Sequence, residues 1–291
     1  MLPDLAPCPE CLEEMHNPSS RRYHYPFTNC THCGPRYSII ETMPYDRAGT
    51  SMKGFRMCPE CRREYQDVED RRFHAQPIGC PSCGPSVKVL FSDGSGLGFG
   101  HGFDTPAAQA AWVLADGLIV ALLGVGGFQL LADASSEAAV RRLRRLKERD
   151  AKPFAVMVPD VAAAERLCRL SEEERRLLAS PAAPIVLARG RKDVDLAPSV
   201  CMFSRFVGIM LPSSPLHALL MDVWGRPLVV TSGNLSGEPL CISVEEGLEK
   251  LGHVADVFLV HDRPVVRPVD DSVVRVTDGR AMMVRRARGY A

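Results

Sequence analysis

From residue 105 onward, short apolar runs alternate with stretches whose apolar positions recur every three or four residues. Runs at 118–123 (LIVALL), 128–132 (FQLLA), 154–158 (FAVMV), 185–188 (IVLA), 207–211 (VGIML) and 227–231 (PLVVT) have the length and composition of buried strands. Residues 136–149 (SEAAVRRLRRLKER) instead put Val140, Leu143 and Leu146 on one helical stripe, with arginines around it. Thr105 as N-cap with Pro106 behind it opens a helix that Gly117 stops. Ser171-x-x-Glu174 and Ser243-x-x-Glu246 fit capping boxes at two further helix starts. Near the end, SVVRVT and AMMVRRA flank Asp278-Gly279, a strong hairpin signal. The pattern predicts an α/β (α+β) domain built on a sizeable twisted sheet.

The first ninety residues read differently, because they repeat. Cys8, Cys11, Cys30 and Cys33 recur fifty positions later as Cys58, Cys61, Cys80 and Cys83. CPEC, R-R-aromatic-H and C-G-P recur with them, at 8, 21 and 33 and again at 58, 71 and 83. Residues 37–57 connect the copies, and the Gly-rich stretch around 92–104 (SDGSGLGFGHGFD) reads as a linker. The expected organisation is a tandem four-cysteine module over 1–90, a linker over 91–104 and a larger α/β domain over 105–291.

Charge narrows the partners. Lys plus Arg and Asp plus Glu both number 35 over the 291 residues, and within 1–90 each sign counts 11. Such a module lacks the surplus that neutralises phosphates, so nucleic acid is not the expected partner. No run approaches eighteen apolar residues, and the N-terminus has no basic start followed by an apolar stretch, so a cytoplasmic protein without a membrane span is expected. In a reducing compartment, C-x-x-C pairs are metal ligands or redox centres rather than staples, and four pairs in register favour a metal. Pairs separated by eighteen residues suit a structural Zn²⁺ tetrahedron, giving two zinc sites, with iron in the same sulfur cage as the chemical alternative. His24 and His74, at equivalent repeat positions, are the alternative ligands; ligation by cysteine alone is the favoured reading.

Two clusters after residue 104 suit phosphate chemistry. Lys147, Arg149 and Lys152 gather where a helix gives way to a strand, and such a cluster can grip a triphosphate. Lysine and arginine also favour any helix C-terminus, so the cluster alone does not settle its role. Thr231, Ser232, Gly233 and Asn234 follow a strand as a small polar loop that lets a ligand approach closely. His217 reads as packing, and Asp270 and Asp271 as acids either serving Mg²⁺ or paired with arginine.

Taken with their neighbours, these segments resemble the HypF family of hydrogenase maturation factors. NCTHCGPRYSII, PYDRAGT, DRRFHAQP and CPSCGP are similar to its paired zinc fingers. LKERDAKPFAVMV, SPAAPIVLARG, GIMLPSSPLHALL, VVTSGNLSGEP, VDDSVVR and RRARGYA are similar to its YrdC-like domain. The resemblance covers nearly the whole chain and corresponds to the central part of the family's architecture, without its acylphosphatase and TsaD-like domains. It implies a carbamoyltransferase component that uses ATP, Mg²⁺ and carbamoyl phosphate, or the carbamate derived from it, to make carbamoyl adenylate. The carbamoyl group would then pass to the partner protein HypE on the route to [NiFe] hydrogenase. By position, Lys147, Arg149 and Lys152 would contact phosphates, Thr231, Ser232 and Asn234 would hold nucleotide or acyl group, and Arg275 would line the same cavity.

One segment departs from the family. Where K-G-x-G-G-F-H is expected, Leu123 replaces the lysine and Gln129 the histidine. Two other readings compete: threonylcarbamoyl-AMP synthesis for tRNA modification, performed by free-standing YrdC-like relatives, and a zinc-dependent docking or RNA-binding module with a decayed site.

Overall fold

A computed structural model describes residues 2–98, 103–235 and 237–290. Two short helices, α1 (Pro9–His16) and α2 (Pro59–Gln66), each begin on a proline behind the first cysteine of a repeat. The larger region then runs β1 (Val87–Phe91), α3 (Pro106–Ala115), β2 (Val120–Leu123), β3 (Phe128–Asp133), α4 (Glu137–Leu146), β4 (Ala155–Met157), α5 (Val161–Leu167) and β5 (Cys168–Arg169). It continues through α6 (Glu172–Leu178), β6 (Ile185–Gly190), α7 (Pro198–Cys201), β7 (Phe206–Met210), α8 (Pro215–Trp224) and β8 (Leu228–Ser232). It ends with α9 (Val244–Leu251), β9 (Val257–His261), β10 (Val273–Thr277) and β11 (Arg280–Arg285).

The strands form one mixed sheet in the order β1-β9-β2-β3-β8-β4-β7-β6-β10-β11, with β5 beside β6. Strands β2 and β8 are almost wholly buried, which explains their continuous apolar sequences. One core cluster lies under α4 to α7 and α9, and a second lies under α3 and α8. None of the described helices is long and apolar enough to cross a membrane.

Every strand expected from an apolar run is present. Thr105 and Ser171 cap as expected, and Ser171 forms the full reciprocal box with Glu174. At Ser243 only half of the box exists, because the Glu246 carboxylate accepts from the Ile242 amide. Asp278 and Gly279 both have positive φ, the turn that a two-residue hairpin needs. The helix expected over 136–149 stops at Leu146: Lys147 is its C-cap and Glu148 turns to φ 50°, so the three cations lie on the connection into β4.

The expected division at residue 90 falls inside β1, which pairs antiparallel with β9 from Val87↔His261 to Phe91↔Val257. Beyond it, Leu97 N donates to Val89 O, and residues 99–102 of the expected linker lie outside the described residues. The cysteine repeats also pack directly on the sheet domain. Phe27 meets His261 edge-on at 5.4 Å and carries the Arg263 guanidinium 5.0 Å above its ring, while Met15 packs with Ala107, Ala218 and Leu219.

Candidate functional site

Each cysteine quartet closes into a compact cluster. In the first, Sγ separations are 3.7 Å (Cys8–Cys30), 3.8 Å (Cys30–Cys33) and 3.5 Å (Cys11–Cys33). In the second they are 3.7 Å (Cys58–Cys80), 3.7 Å (Cys80–Cys83) and 3.6 Å (Cys61–Cys83). A tetrahedron with Zn–S bonds of ~2.3 Å has edges of about 3.8 Å, whereas a disulfide needs about 2.05 Å, so the donor set fits Zn²⁺. His24 and His74 do not join the clusters. They take left-handed φ of 52° and 54°, and their rings lie against Tyr23 and against Tyr65 and Phe73.

The two repeats are interlocked by their arginines. Arg22 Nε donates to Gly79 O and Arg72 Nε to Asn29 O, each at 2.9 Å and each reaching into the other repeat. Glu64 accepts from Arg21 and Arg22, and Glu14 from Arg22, Arg71 and Arg72. Burial opposes ionisation of Glu64, but these arginines hold its carboxyl down to about 2.

A cavity of about 520 Å³ opens on the β4, β7, β6 and β10 stretch of the sheet. Its polar rim carries Arg149, Lys152, Arg275, Arg285, Thr231 and Ser232, with Asp270 and Asp271 beside them; Phe206, Leu187 and Val273 supply apolar floor. The structure thus brings together Arg149, Lys152, Thr231, Ser232 and Arg275 of the expected site residues. Arg275 lies 4.5 Å over the Phe206 ring and, like the Lys152 ammonium, has no hydrogen-bond or ion-pair partner among the described residues. Arg149 donates to Pro153 O and to Thr231 Oγ1, and burial pushes its guanidinium down to about 10, still charged at neutral pH.

Lys147 differs from expectation. It is 3% exposed and absent from the cavity wall. Its Nζ donates to Ser232 O, Asn234 O and Asn234 Oδ1, which uses all three ammonium donors and leaves none for a phosphate. Ser232 Oγ donates to the same Asn234 Oδ1 at 2.7 Å, so Lys147 fixes the polar loop from beneath. The sequence showed the cation but not its depth, because the helix ends before the cluster.

Two residues missed at the sequence level complete the site. Arg285, from the edge strand, pairs with Asp270, and Arg288 (4% exposed) donates to Asp271 Oδ1 at 2.9 Å. Both acids are therefore paired with arginine. Burial and the neighbouring Asp271 raise the Asp270 carboxyl, and neither acid presents a free donor set for Mg²⁺. Asp271 Oδ2 also accepts from Gln129 Nε2 at 2.7 Å. Leu123, where the resemblance leads one to expect lysine, is 2% exposed in the core.

Beside the cavity, the turn Gly124–Gly127 joins β2 to β3. A Cβ on Gly126 would lie 2.2 Å from Val269 O, and Gly127 has φ 135°, so glycine is required at both. His217 Nδ1 lies 3.2 Å from Ser213 Oγ, and burial pushes the ring down to about 4, so it is neutral near pH 7.

Comparison with known proteins accords with this geometry. The family model described as "Telomere recombination" (Sua5/YciO/YrdC) matches residues 112–287, and the "HypF finger" model matches 8–40 and 57–90. The chain is 50% identical to "Carbamoyltransferase HypF" of Synechocystis sp. over 100% of its own length and 38% of that protein's. It therefore spans well under half of the curated relative. A crystal structure of full-length HypF "in the phosphate- and nucleotide-bound form" superposes with a TM-score of 0.94 at 49% identity, over 99% of this chain and 37% of that one. "Threonylcarbamoyl-AMP synthase" of Mus musculus is 35% identical over 53% of this chain and 55% of that protein. The chain belongs to the Sua5/YciO/YrdC family and carries that domain behind paired HypF fingers, as HypF carbamoyltransferases do.

Proposed function

We propose that the sheet domain joins ATP to carbamate derived from carbamoyl phosphate, giving carbamoyl adenylate and pyrophosphate, as one step of carbamoyl transfer to the partner HypE. The observation that carries this reading is the cavity itself. Arg149, Lys152, Arg275 and Arg285 converge on it, outnumbering the two carboxylates, beside a polar loop locked by Lys147.

The carbamate oxygen is already anionic, so the reaction needs no general base. It attacks the α-phosphorus, the α–β bridging bond breaks, and pyrophosphate leaves with the electron pair. The protein's part is to align the two anions and neutralise them. Lys152 and Arg275, with donors to spare, are suited to the polyphosphate, and the apolar floor of Phe206, Leu187 and Val273 to the base. Mg²⁺ would come with ATP and not from Asp270 or Asp271, which arginines occupy. Zn²⁺ held by the eight cysteines would supply structure only, fixing the module that packs on β9.

The test is pyrophosphate release and ATP–pyrophosphate exchange, with carbamoyl phosphate or ammonium carbamate as co-substrate. Exchange that falls at least a hundredfold in Arg275→Ala, with the fold intact, supports the reading. Exchange that requires threonine plus bicarbonate replaces it with threonylcarbamoyl-AMP synthesis, the activity named for the mouse relative.

A further inference from the structure

A second, much smaller cavity of about 20 Å³ adjoins the first and shares Ser232, Asp270 and Asp271 with it. Its remaining walls include the Gly124–Gly127 turn, Gln129, Ser213, His217, Val269 and the Asp271-paired Arg288. Two buried polar atoms on these walls, Gln129 Oε1 and His217 Nε2, have no partner among the described residues. The Gln129 amide is oriented by its other end, and His217 by the tautomer that its contact with Ser213 allows. Asp271 is bonded to Arg288 and acts as an acceptor, so the Gln129 amide must turn its NH₂ to that carboxylate and its oxygen away, to within 3.5 Å of where a Cβ on Gly124 would stand. In the tautomer with Ser213 Oγ donating to His217 Nδ1, Nε2 carries the proton, and this is the tautomer the assignment uses. The crevice thus offers one unpartnered acceptor and one unpartnered donor beside the Asp271–Arg288 pair, and its own volume takes about one or two water-sized atoms, so a planar group reaches into it from the larger cavity.

We propose that this crevice seats the carbamoyl group, with its NH₂ donating to Gln129 Oε1 and its C=O accepting from His217 Nε2. Gln129 and His217 are then the specificity-determining residues that separate an amide-type acyl group from its methyl isostere. An acetyl group has the same shape but leaves Gln129 Oε1 buried without a hydrogen, and a site built to bond a polar group rejects the analogue lacking it. The glycine walls add a size limit: Gly126 and Gly127 pack against Val269 and Leu240, leaving no space for a substituent on the carbamoyl nitrogen. The inference deepens the carbamoyl-adenylate reading, but its test does not depend on adenylation.

Carbamoyl phosphate and acetyl phosphate differ only in NH₂ against CH₃, and their common phosphate can lie among the cavity cations. Calorimetric titration of the wild-type chain should give about tenfold tighter binding of carbamoyl phosphate. Gln129→Leu and Gln129→Met should bring that ratio to about one, while acetyl phosphate affinity stays within about twofold and thermal melts confirm folding. Equal binding of the two by wild type, or a ratio retained in both folded variants, overturns the assignment. A retained wild-type preference without ATP–pyrophosphate exchange would instead remove the adenylate reading and leave the crevice as a carbamoyl site.

Discussion

Arg71 Nη1 lies 3.0 Å from Cys11 Sγ, so an arginine of the second repeat caps a sulfur of the first cluster. Arg21 Nη2 does the converse, 3.3 Å from Cys61 Sγ. The fifty-residue repeat is therefore a reciprocal exchange, in which each thiolate cluster draws positive charge from the other copy. A guanidinium beside a zinc thiolate offsets its negative charge, and groups one layer beyond the ligands commonly contribute 10–100-fold to metal affinity.

We expect Arg21→Ala with Arg71→Ala to lower zinc affinity by roughly 10–100-fold, as outer-shell changes do. Chelator competition measures this, with Arg62→Ala, whose side chain is exposed on α2, as the unaffected control. Loss confined to one of two zinc ions in the double variant would contradict the reciprocal arrangement.

Removing both metals should unfold the repeats and also expose their docking face on the sheet. Phe27, Met15 and β1 tie the module to β9, α3 and α8, so the effect should spread to those elements. Hydrogen exchange after chelation should show lost protection in residues 2–90, early loss in β1 and β9, and retained protection in β4, β7 and β8. Uniform retention across β1 and β9 would mean that the module contributes nothing to the sheet edge.

What the sequence disclosed and what it concealed divide along a physical line. Local signals were legible: the capping residues Thr105 and Ser171, the Asp278-Gly279 turn, the apolar strands and the cysteine spacing each depend on residues near one another in the chain. β9 was missed although its sequence, VFLVH, is apolar, and β1 was hidden by its position against the presumed linker. The pairing of Arg288 with Asp271 spans 17 positions, and that of Gln129 with Asp271 spans 142. No local pattern encodes such contacts. Lys147 shows the same limit, since its charge was visible but its three carbonyl and amide acceptors come from a loop more than eighty positions away.

Gly233 permits the polar loop to lie against β3. A Cβ there would stand 2.4 Å from Phe128 Cβ and 2.7 Å from Phe128 O, a clash with backbone that no rotamer relieves. Gly233→Ala should therefore displace Ser232 and Asn234 and weaken nucleotide binding by at least tenfold. Gly225→Ala, in the open left-handed cap of α8, should cost stability by about 1 kcal/mol with binding unchanged. Fluorescent-nucleotide titration and thermal melts of the two variants separate the outcomes, and equal binding losses would contradict the loop's role.

Two buried histidines predict the acid limb of stability. Burial pushes His217 down to about 4 and His261 down to about 3, both from 6.5. Between those values and 6.5 the unfolded chain binds protons that the folded chain does not. Their contribution is complete above pH 6.5 and is lost as pH falls through the window, at about 3 kcal/mol or more for each. Denaturant midpoints from pH 7 to 4 should fall accordingly. His261→Phe, which keeps a ring against Phe27, should flatten part of that slope; an unchanged slope would assign it to other groups.

Lys147 makes stability and binding respond oppositely to alkaline pH. Burial, reinforced by Arg149, pushes its ammonium from 10.5 down to about 8. Between pH 8 and 10.5 the unfolded chain retains a proton that the folded chain has released, so this group's contribution to stability rises through that window and is lost as pH falls back through 8, about 3 kcal/mol across the full range. The released proton also removes one of the three donors that hold Ser232 and Asn234. Nucleotide affinity should therefore decline from pH 7.5 to 9.5 while the melting temperature changes upward or holds. Lys147→Met, of similar length but without donors, should bind nucleotide weakly at every pH and show no alkaline decline. Parallel titrations at fixed ionic strength check both. A wild-type affinity that is flat across pH 8 would mean that the loop keeps its shape without the charge, and Lys147 would then have to act on the ligand itself.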